Sequence, residues 1–302
     1  MASTQVGRLS LYDASKELPG INLYTQNTAT AIRRNGSQTT IVSPAFPAGQ
    51  TYDAVIVTSS TWALELNSVF EGFDESTLPY GVSLSMKESH WITSCKVFYP
   101  LKQRYWEMPN PNGPSFAMIP QVINTDTFLQ DVYGMAVTVG SRQDPGVLLV
   151  SYTWEDDAAK FEANSDDAAL AAQCLDKLDS ILLGCSNVQT TISQYVDTST
   201  PVVIHWEQQP SYRGCAKLYR ERSWNLDYSL LRYNQQYSAQ SGLYFAGEGY
   251  SVEGGWTEPA LRLALDAVIN VVQNSGGTFL NGFSYADYPQ YSAWAPTASA
   301  HA

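Results

Sequence analysis

The stretch LYFAGEGYSVEGGWTEPALR, residues 243–262, is the part of the sequence that decides the fold. It passes from a short apolar run through a glycine-rich turn into a segment whose apolar residues recur at helical spacing. Thr257 is a favourable N-cap residue, and Pro259 suits the first turn of a helix. Because a helix start carries unpaired N–H groups and a positive dipole end, it can meet a ligand that lies ahead of it. The stretch therefore predicts a strand, a turn and a helix over 257–272 that is capped at Thr257.

The predicted helix places four apolar side chains on one face, namely Leu261, Leu265, Val268 and Val272. In the turn before it, Gly254 and Gly255 allow a flat group to approach the backbone closely. The alternative interpretation is an ordinary capped core helix that follows a turn and binds nothing. On the residues alone, both interpretations stay open.

Other apolar runs predict the remaining elements of the fold. Strands are expected at residues 21–24, 29–34, 39–43, 54–58, 92–99, 147–153, 201–206 and 244–246. Asn35-Gly36 predicts a hairpin turn, and the strand at 54–58 is expected to be buried on both faces. A helical stretch that ends at Gly184, a loop and an irregular tail are expected at residues 155–183, 109–120 and 276–302, respectively. These elements predict a fold of the α/β plus α+β class.

The composition indicates a globular chain with a sizeable core. The chain has 302 residues, of which 44% are hydrophobic and 15% are charged, against about 25% charged in an average globular domain. Its net charge is −12 and no basic stripe is present, which argues against nucleic-acid binding. No apolar run approaches the roughly 20 residues of a membrane helix. The first ten residues lack the apolar region of a signal peptide, and the sequence predicts no particular compartment.

The sequence offers no metal constellation. Four cysteines stand at positions 95, 174, 185 and 215 without a C-x-x-C pair, and the chain has three histidines. These residues do not assemble a zinc pattern, so no metal is predicted. Reduced, mostly buried thiols are expected, because disulfide scaffolds are typical of much smaller chains.

The order of features in residues 243–262 resembles the C-terminal signature of the flavin-containing amine oxidase family, which includes monoamine oxidases, L-amino acid oxidases and tryptophan 2-monooxygenase. The resemblance implies FAD as the cofactor. It implies that Gly247 and Glu248 meet the ribityl and pyrophosphate of FAD, with Gly255 in the cofactor-binding turn. It also implies that the Thr257 backbone N–H faces the pyrimidine oxygen of the flavin, and that Trp256 forms an aromatic wall beside flavin and substrate.

A second segment, HWITSCKVFY at residues 90–99, resembles the part of the family that carries a flavin-facing lysine. By this resemblance Lys96 is the catalytic lysine, which holds a water molecule against flavin N5. The residues alone favour a different interpretation, a lysine at a strand edge whose ammonium reaches solvent. The resemblance reverses that preference.

A third segment, HWEQQPSYRGCAKL at residues 205–218, resembles the stretch that runs along one edge of the flavin and implies that Trp206 contacts it. Monoamine oxidases place two facing aromatic residues beside the substrate, and these positions correspond here to Ala216 and Trp256. Because one aromatic wall is missing, the resemblance argues against a simple arylalkylamine substrate. The pattern Gly-x-Ala-Lys-Leu at residues 214–218 instead resembles the microbial L-amino acid oxidase and tryptophan 2-monooxygenase branch of the family. Cys215 stands where monoamine oxidases link flavin covalently, and an ordinary small buried residue is the alternative.

Weaker matches concern the strand at 54–58, which resembles the strand that returns to the FAD domain, and two single residues. Ala29 falls where the family makes a backbone contact to adenine. Tyr133 is the candidate phenol for binding a substrate carboxylate. His90 and His205 are expected to be structural histidines.

The resemblance covers roughly residues 20–275 and matches the later part of the family, while the pyrophosphate-binding pattern G-x-G-x-x-G does not occur in the chain. The expected organisation is an incomplete, discontinuous Rossmann-like FAD-binding domain with an inserted mixed-sheet substrate-binding domain. The FAD-binding domain is expected at residues 1–62 and 236–275, the substrate-binding domain at 63–235, and the tail at 276–302. A complementing N-terminal half, in the same or a separate chain, is expected as a partner.

The implied function is that of the C-terminal portion of an FAD-dependent L-amino acid oxidase, inactive without the missing half. Such an enzyme uses an L-amino acid and oxygen, and forms a keto acid, ammonia and hydrogen peroxide. One alternative is oxidative decarboxylation to an amide, as in tryptophan 2-monooxygenase. Another is a flavin-free fragment or partner subunit without catalysis. The sequence leaves open which amino acid is used and whether the chain forms a homo-oligomer.

Overall fold

The computed structural model describes residues 20–109, 118–137, 145–185, 188, 190–218, 220, 224–251, 253–280 and 282–283. The strands are β1 (Ala31–Asn35), β2 (Gln38–Ser43), β3 (Phe46–Tyr52), β4 (Val55–Val57), β5 (Val69–Glu71), β6 (His90–Ile92), β7 (Ser94–Leu101), β8 (Val122–Asn124), β9 (Asp131–Ala136), β10 (Gly146–Trp154), β11 (Val202–His205), β12 (Ala216–Leu218) and β13 (Leu243–Phe245). The helices are α1 (Thr61–Asn67), α2 (Tyr80–Glu88), α3 (Asp156–Glu162), α4 (Asp167–Leu183), α5 (Trp224–Leu231), α6 (Tyr233–Gln236), α7 (Ser238–Ser241) and α8 (Thr257–Asn274).

The strands form several sheets, which confirms the mixed α/β class. A four-stranded sheet has the order β3-β2-β1-β5, and a five-stranded sheet has the order β11-β7-β10-β9-β8. Strands β6 and β12 form an antiparallel pair, and β4 and β13 form a parallel pair. The five-stranded sheet packs one face against α3 and α4 around the larger hydrophobic core. A second core surrounds β4 and β13 and includes side chains of α1, α2 and α5.

The predicted hairpin is confirmed between β1 and β2. Asn35 pairs with Gln38, so that Gly36 and Ser37 form the two-residue turn, with Gly36 in the left-handed region at φ +66°. Strand β3 was not predicted, because Pro47 and Gly49 are disfavoured within strands. It is an edge strand of its sheet, where such residues are tolerated.

The strand predicted at residues 21–24 is wrong. The segment is irregular, and within the described chain no strand pairs with it. The ring of Tyr24 instead packs edge-on against Phe46, with the ring centroids 5.0 Å apart. A short apolar run forms a strand only where a neighbouring strand supplies hydrogen bonds, and no described strand supplies them to this segment.

The helical stretch predicted over 155–183 is two helices, α3 and α4. The Asp166 carboxylate accepts hydrogen bonds from the backbone N–H groups of Ala168 and Ala169, which caps α4 and separates it from α3. The end of α4 at Gly184 is confirmed. Most of the loop predicted at 109–120 and most of the tail lie outside the described residues.

The parallel pair β4–β13 has two different edges. On the outer edge of β13, the Asn234 side chain donates to the Phe245 carbonyl and accepts from the Phe245 N–H, both at 2.8 Å. The amide therefore takes the place of a neighbouring strand. Strand β4 has no second partner among the described residues, and Ile56 is 41% exposed. The expectation that this strand is buried on both faces is thus wrong at Ile56, because one face lacks a covering layer in the described structure.

Helix α8 buries one side and exposes the other. Leu263, Ala267 and Ile269 are buried against β13 and its surroundings, and Asp266 is buried beside them. The apolar residues predicted to share a face do so, but on the outer side: Leu261 is 58% exposed, and Leu265 and Val268 are exposed as well.

In the part of the chain that the structure describes, no helix is long and apolar enough to cross a membrane.

Replacing Asn234 by alanine should lower the free energy of unfolding by about 2–4 kcal/mol, because two buried backbone groups of Phe245 lose their partners. The measurement is urea unfolding followed by circular dichroism. Gln236→Ala, which changes an exposed amide in the same helix, is the matched control and should stay within about 0.5 kcal/mol of the parent. Equal stabilities of the two variants would show that the Asn234 amide does not support β13.

Candidate active site

Lys96 lies on the face of the five-stranded sheet that is turned away from α3 and α4. It occupies β7, between β11 and β10, so the strand-edge interpretation of this lysine is wrong. Its Nζ atom lies 4.4 Å from the ring centroid of Tyr152 and 5.7 Å from that of Trp206. Among the described residues no carboxylate pairs with the ammonium. Two aromatic faces therefore stabilise this half-buried cation.

Cys215 lies close to the same ammonium. Burial raises the pKa of the Cys215 thiol, while the nearby Ser94 hydroxyl and the positive charge of Lys96 act in the opposite direction. Its backbone N–H donates to the Ile92 carbonyl at 2.9 Å, which fixes the start of β12 against β6. A mostly buried thiol with a raised pKa behaves as a packing residue. The geometry thus agrees with the simpler interpretation of Cys215, and the covalent one stays untested.

Trp206 starts a short 3-10 turn directly after β11. Its ring contacts Tyr212 edge-on at a centroid distance of 5.4 Å. The indole Nε1 is buried and has no hydrogen-bond partner within the described structure. Because buried donors are normally paired, this nitrogen is suited to donate to an acceptor that the chain itself does not supply.

A carboxylate joins the turn after β13 to two other segments. Gly247 has a φ of +108°, which glycine tolerates and other residues rarely adopt. Next to it, Glu248 Oε1 accepts from the backbone N–H of Lys217 at 2.8 Å and of Gly255 at 2.7 Å. Burial raises the pKa of Glu248, whereas these two hydrogen bonds and the charge of Lys217 oppose that shift. For Oε2 no hydrogen bond is found among the described residues, which leaves acceptor capacity for a ligand hydroxyl.

The two glycines before α8 have different roles. A Cβ atom on Gly254 would lie 1.7 Å from the Lys217 carbonyl oxygen, so only glycine fits there. Gly255 has a φ of +82°, and no atom lies within 4 Å of its Cβ position. One glycine therefore permits close packing of the backbone, and the other borders open space.

The start of α8 faces that open space. Thr257 is the first helical residue and Trp256 occupies the cap position, so the predicted cap at Thr257 is wrong by one residue. The reason is the extended backbone of Trp256, at φ −132° and ψ 153°, and no side chain caps the helix. Trp256 is 76% exposed, and Thr257 is exposed too. The helix start therefore has backbone N–H groups without a side-chain partner.

Ala216 and Tyr133 have surroundings that the sequence did not reveal. Ala216 is 5% exposed and pairs with Ile92, so protein atoms already cover its methyl group. Burial raises the pKa of Tyr133, and the nearby charge of Asp131 and a hydrogen bond with it add to the shift. The Tyr133 phenol thus lies near a carboxylate of the chain. The substrate-binding roles of both residues stay predictions.

Ala29 lies elsewhere, in a cleft of about 460 Å³ lined by β1, β4 and α1. Its carbonyl accepts a hydrogen bond from Ser68 Oγ at 2.7 Å. The same cleft reaches Pro210 and Ser211 of the loop that follows Trp206. The structure therefore does not place Ala29 in the cluster around Lys96.

His90 and His205 both lie beside carboxylates. His90 Nε2 is 2.9 Å from Glu155 Oε1. His205 is buried between Asp167 and Glu207, with nitrogen–oxygen distances of 3.7 and 3.6 Å. These contacts favour structural roles. No group of residues suited to hold a metal ion is found in the described part of the chain.

Tyr152 is the site residue that sequence reasoning missed. The available signal was the alternation of aromatic residues at Tyr152 and Trp154 with polar residues at the end of β10. Its position opposite Lys96 depends on a β-bulge between Leu149 and Ser151, which shifts the register by one residue. That irregularity has no signature in the sequence.

The donors and open surfaces fit the ring end of FAD. A flat, partly polar ring system needs open space beside the backbone, hydrogen-bond donors and aromatic contacts. The left-handed Gly255, the uncapped start of α8, the exposed Trp256 and the unpaired Nε1 of Trp206 supply these. The pyrophosphate-binding pattern is absent from the sequence, so the fit concerns the ring end.

Comparison with known sequences gives relatives that match most of the chain. Tryptophan 2-monooxygenase of Pantoea agglomerans pv. gypsophilae is 28% identical over 291 residues, which cover 91% of this chain and 48% of that protein. The enzyme of the same name from Pseudomonas savastanoi is 30% identical over 242 residues, covering 76% and 40%. L-amino-acid oxidase of Siganus canaliculatus is 25% identical over 224 residues, covering 72% and 37%. The chain spans about half or less of the length of these relatives.

Solved structures show the same fold at low identity. A variant of putrescine oxidase with redesigned cofactor binding aligns with a TM-score of 0.56 and 15% identity, over 85% of this chain and 51% of that one. Cyclohexylamine oxidase from Brevibacterium oxydans IH-35A aligns with a TM-score of 0.56 and 12% identity, over 82% and 48%.

The sequence model of the family described as flavin containing amine oxidoreductase matches residues 7–271. This match runs through β1 to β13 and most of α8, and it includes each segment that forms the cluster around Lys96. The chain therefore belongs to the flavin-containing amine oxidoreductase family, a family of enzymes whose cofactor is FAD.

Proposed function

We propose that this chain is the C-terminal part of an FAD-dependent L-amino acid oxidase, with Lys96 as its catalytic lysine. The observation that carries the proposal is the position of Lys96. Its ammonium lies in the interior of a sheet face, against two aromatic rings and without a carboxylate partner in the described structure. A lysine that served only solubility would extend into solvent instead.

The bound cofactor would accept two electrons from the amino acid, which would become an imino acid. Water would then hydrolyse the imino acid to a keto acid and ammonia. Oxygen would take up the two electrons and be reduced to hydrogen peroxide. The chain itself contributes positions and charges. Lys96 has N–H donors that can hold a water molecule at the sheet face, which fits the role of a proton-transfer group. The Nε1 of Trp206 can donate to a carbonyl of the ring system, and Oε2 of Glu248 can accept from a hydroxyl.

The start of α8 has an electrostatic role in this proposal. Its unpaired N–H groups and the positive end of the helix dipole, equivalent to about half a charge, stabilise negative charge that develops in front of them. Thr257 is the first residue of that helix and is exposed. Gly255 leaves the approach open.

Amino acids are the proposed substrate class for two reasons. The ring of Trp256 is exposed and can stack on an apolar side chain, while the second aromatic position of an amine cage is taken by Ala216. Relatives named tryptophan 2-monooxygenase and L-amino-acid oxidase both have substrates of this class by name. Tyr133 is kept as the proposed contact for the substrate carboxylate, although the nearby Asp131 raises the pKa of its phenol.

Oxidative decarboxylation to an amide is the second candidate. The relatives with the higher identities bear the name tryptophan 2-monooxygenase, which favours this reaction. The described residues contain no feature that separates it from oxidative deamination, because both begin with oxidation of the α-carbon. Product analysis distinguishes the two.

A complementing N-terminal half is part of the proposal. Among the described residues β4 has an open outer edge, and Ile56 and the apolar side chains on the outer side of α8 are exposed. Capping of the opposite edge by Asn234 directs any further strand to β4. We assign residues 1–62 and 236–275 to the FAD-binding domain that this half completes, and residues 63–235 to the substrate-binding domain. Without the complementing N-terminal half, the chain would act as a flavin-free subunit.

The purified 302-residue chain should neither retain FAD nor form hydrogen peroxide from L-amino acids, because it lacks the G-x-G-x-x-G pattern. Adding a segment that carries this pattern should restore both. Flavin absorbance after gel filtration and a peroxide assay measure the two properties. Stoichiometric flavin on the isolated chain would contradict the need for a complementing half.

Lys96→Met in the complete enzyme should slow flavin reduction or reoxidation by about two to four orders of magnitude, because a positioned proton-transfer group is lost. FAD should stay bound. Stopped-flow measurement of the two half-reactions tests this, and Lys102→Met, an exposed lysine just beyond the same strand, is the control. If Lys96→Met left both half-reactions at the parent rates, the lysine would have no catalytic role.

Phenylalanine should be oxidised and phenethylamine should not, because the proposed site accepts an α-carboxylate. Trp256→Ala should weaken aromatic substrates most, since an aromatic contact contributes about 0.5–1.5 kcal/mol beyond its buried area, and Trp256→Phe should retain much of that contact. Peroxide formation on matched pairs measures the preference. Preference for the amine would exclude an amino acid oxidase, and release of carbon dioxide with an amide product would favour the decarboxylating alternative.

A further inference from the structure

We propose that Tyr152 is a positioning residue for Lys96, which holds the lysine ammonium against the sheet face through its ring. The inference rests on the proposed function only for what Lys96 does in catalysis. The positioning itself follows from the geometry of β7, β10 and the turn after β11. Tyr152 acts through Lys96 and is not assigned a contact with substrate.

The ring and the ammonium face each other across neighbouring strands. Tyr152 on β10 is the register partner of Lys96 on β7, and partners across an antiparallel pair lie on the same face of the sheet. The Nζ-to-centroid distance of 4.4 Å is well within the roughly 6 Å over which a cation is attracted by a ring face. Trp206, at 5.7 Å, borders the ammonium from the side of β11.

The two rings stabilise the charge of the Lys96 ammonium and also leave its N–H donors free of protein acceptors among the described residues. A half-buried ammonium loses hydration and needs compensation. A carboxylate would supply it but would also take up the N–H donors. Ring faces stabilise the charge without accepting those hydrogen bonds in line, and no hydrogen bond from Lys96 Nζ is found within the described residues. The donors are thereby left available for a water molecule.

Tyr152 is itself fixed by its strand. Its ring packs against that of Trp154 at a centroid distance of 4.5 Å, and its backbone N–H donates to the Leu129 carbonyl at 3.3 Å. The β-bulge between Leu149 and Ser151 is decisive, because Leu149 pairs with Phe98 whereas Ser151 pairs with Val97. In a regular ladder Ser151 would stand opposite Lys96. One extra residue brings the aromatic ring to that position instead.

The test measures the reactivity of the Lys96 amine in the full 302-residue chain. Trace acetylation at a fixed pH, read by mass spectrometry, gives its rate relative to the exposed Lys87 and Lys102. Tyr152→Leu should raise the relative rate about three- to tenfold, because the ring that holds and covers the Lys96 Nζ atom is lost. Tyr152→Phe keeps the ring and should match the parent within about twofold. Tyr80→Leu, which removes an exposed tyrosine elsewhere, should change nothing.

Two outcomes would overturn the inference. One is an unchanged Lys96 rate in a folded Tyr152→Leu variant, and the other is a Tyr152→Phe variant that reacts as fast as Tyr152→Leu. If Tyr152→Leu does not fold, Tyr152→Trp decides, since the larger ring should keep the rate at or below that of the parent and a faster rate would refute the ring contact.

A kinetic cycle in the complete enzyme separates this inference from the proposed function. Tyr152→Leu should slow the same half-reaction as Lys96→Met, Tyr152→Phe should restore it, and the double variant should lose nothing beyond Lys96→Met. Normal kinetics of Lys96→Met would refute the catalytic role of the lysine but leave the labelling result standing. Additive losses in the double variant would refute the positioning role alone.

Discussion

One oxygen atom, Oε1 of Glu248, holds the site together. It accepts from the backbone of Lys217 in β12 and of Gly255 before α8, so one half-buried carboxylate joins the turn before α8 to a strand about thirty residues earlier in the chain. Burial works against the charged form of Glu248, and the two backbone donors together with the Lys217 ammonium offset only part of this effect, so the pKa stays raised. The position of the α8 start relative to β12 depends on this contact. Its geometry also explains why Gly254 admits no side chain.

The sequence predicted those elements that are determined by residues close together in the chain. The turn after Asn35, the end of α4 at Gly184 and the helix with Pro259 in its first turn were all identified, because glycine, proline and apolar spacing act within a few residues. The failures are elements decided by distant partners. Residues 21–24 lack a neighbouring strand in the described structure, and β3 exists despite Pro47 because it lies at an edge.

The site was predictable to the extent that it consists of segments with a recognisable order. Lys96, Trp206 and Trp256 were singled out in this way, and their roles stay predictions. Tyr152 was not, because a bulge in β10 determines what stands opposite Lys96 and such a register shift is a property of the folded sheet. The surroundings of Ala216 were equally hidden: its burial results from pairing with Ile92, a residue more than a hundred positions away.

Capping of β13 by the Asn234 amide has a consequence for self-association. A sheet with two open edges can recruit copies on both sides and grow into a fibre, whereas a sheet with one blocked edge can pair only once. In the described structure β4 presents the open edge of this pair and β13 the blocked one. Contacts between copies through this sheet would therefore close as a two-fold pair and stop there. A single buried amide thus limits edge-to-edge polymerisation of a sheet whose other side is apolar and exposed.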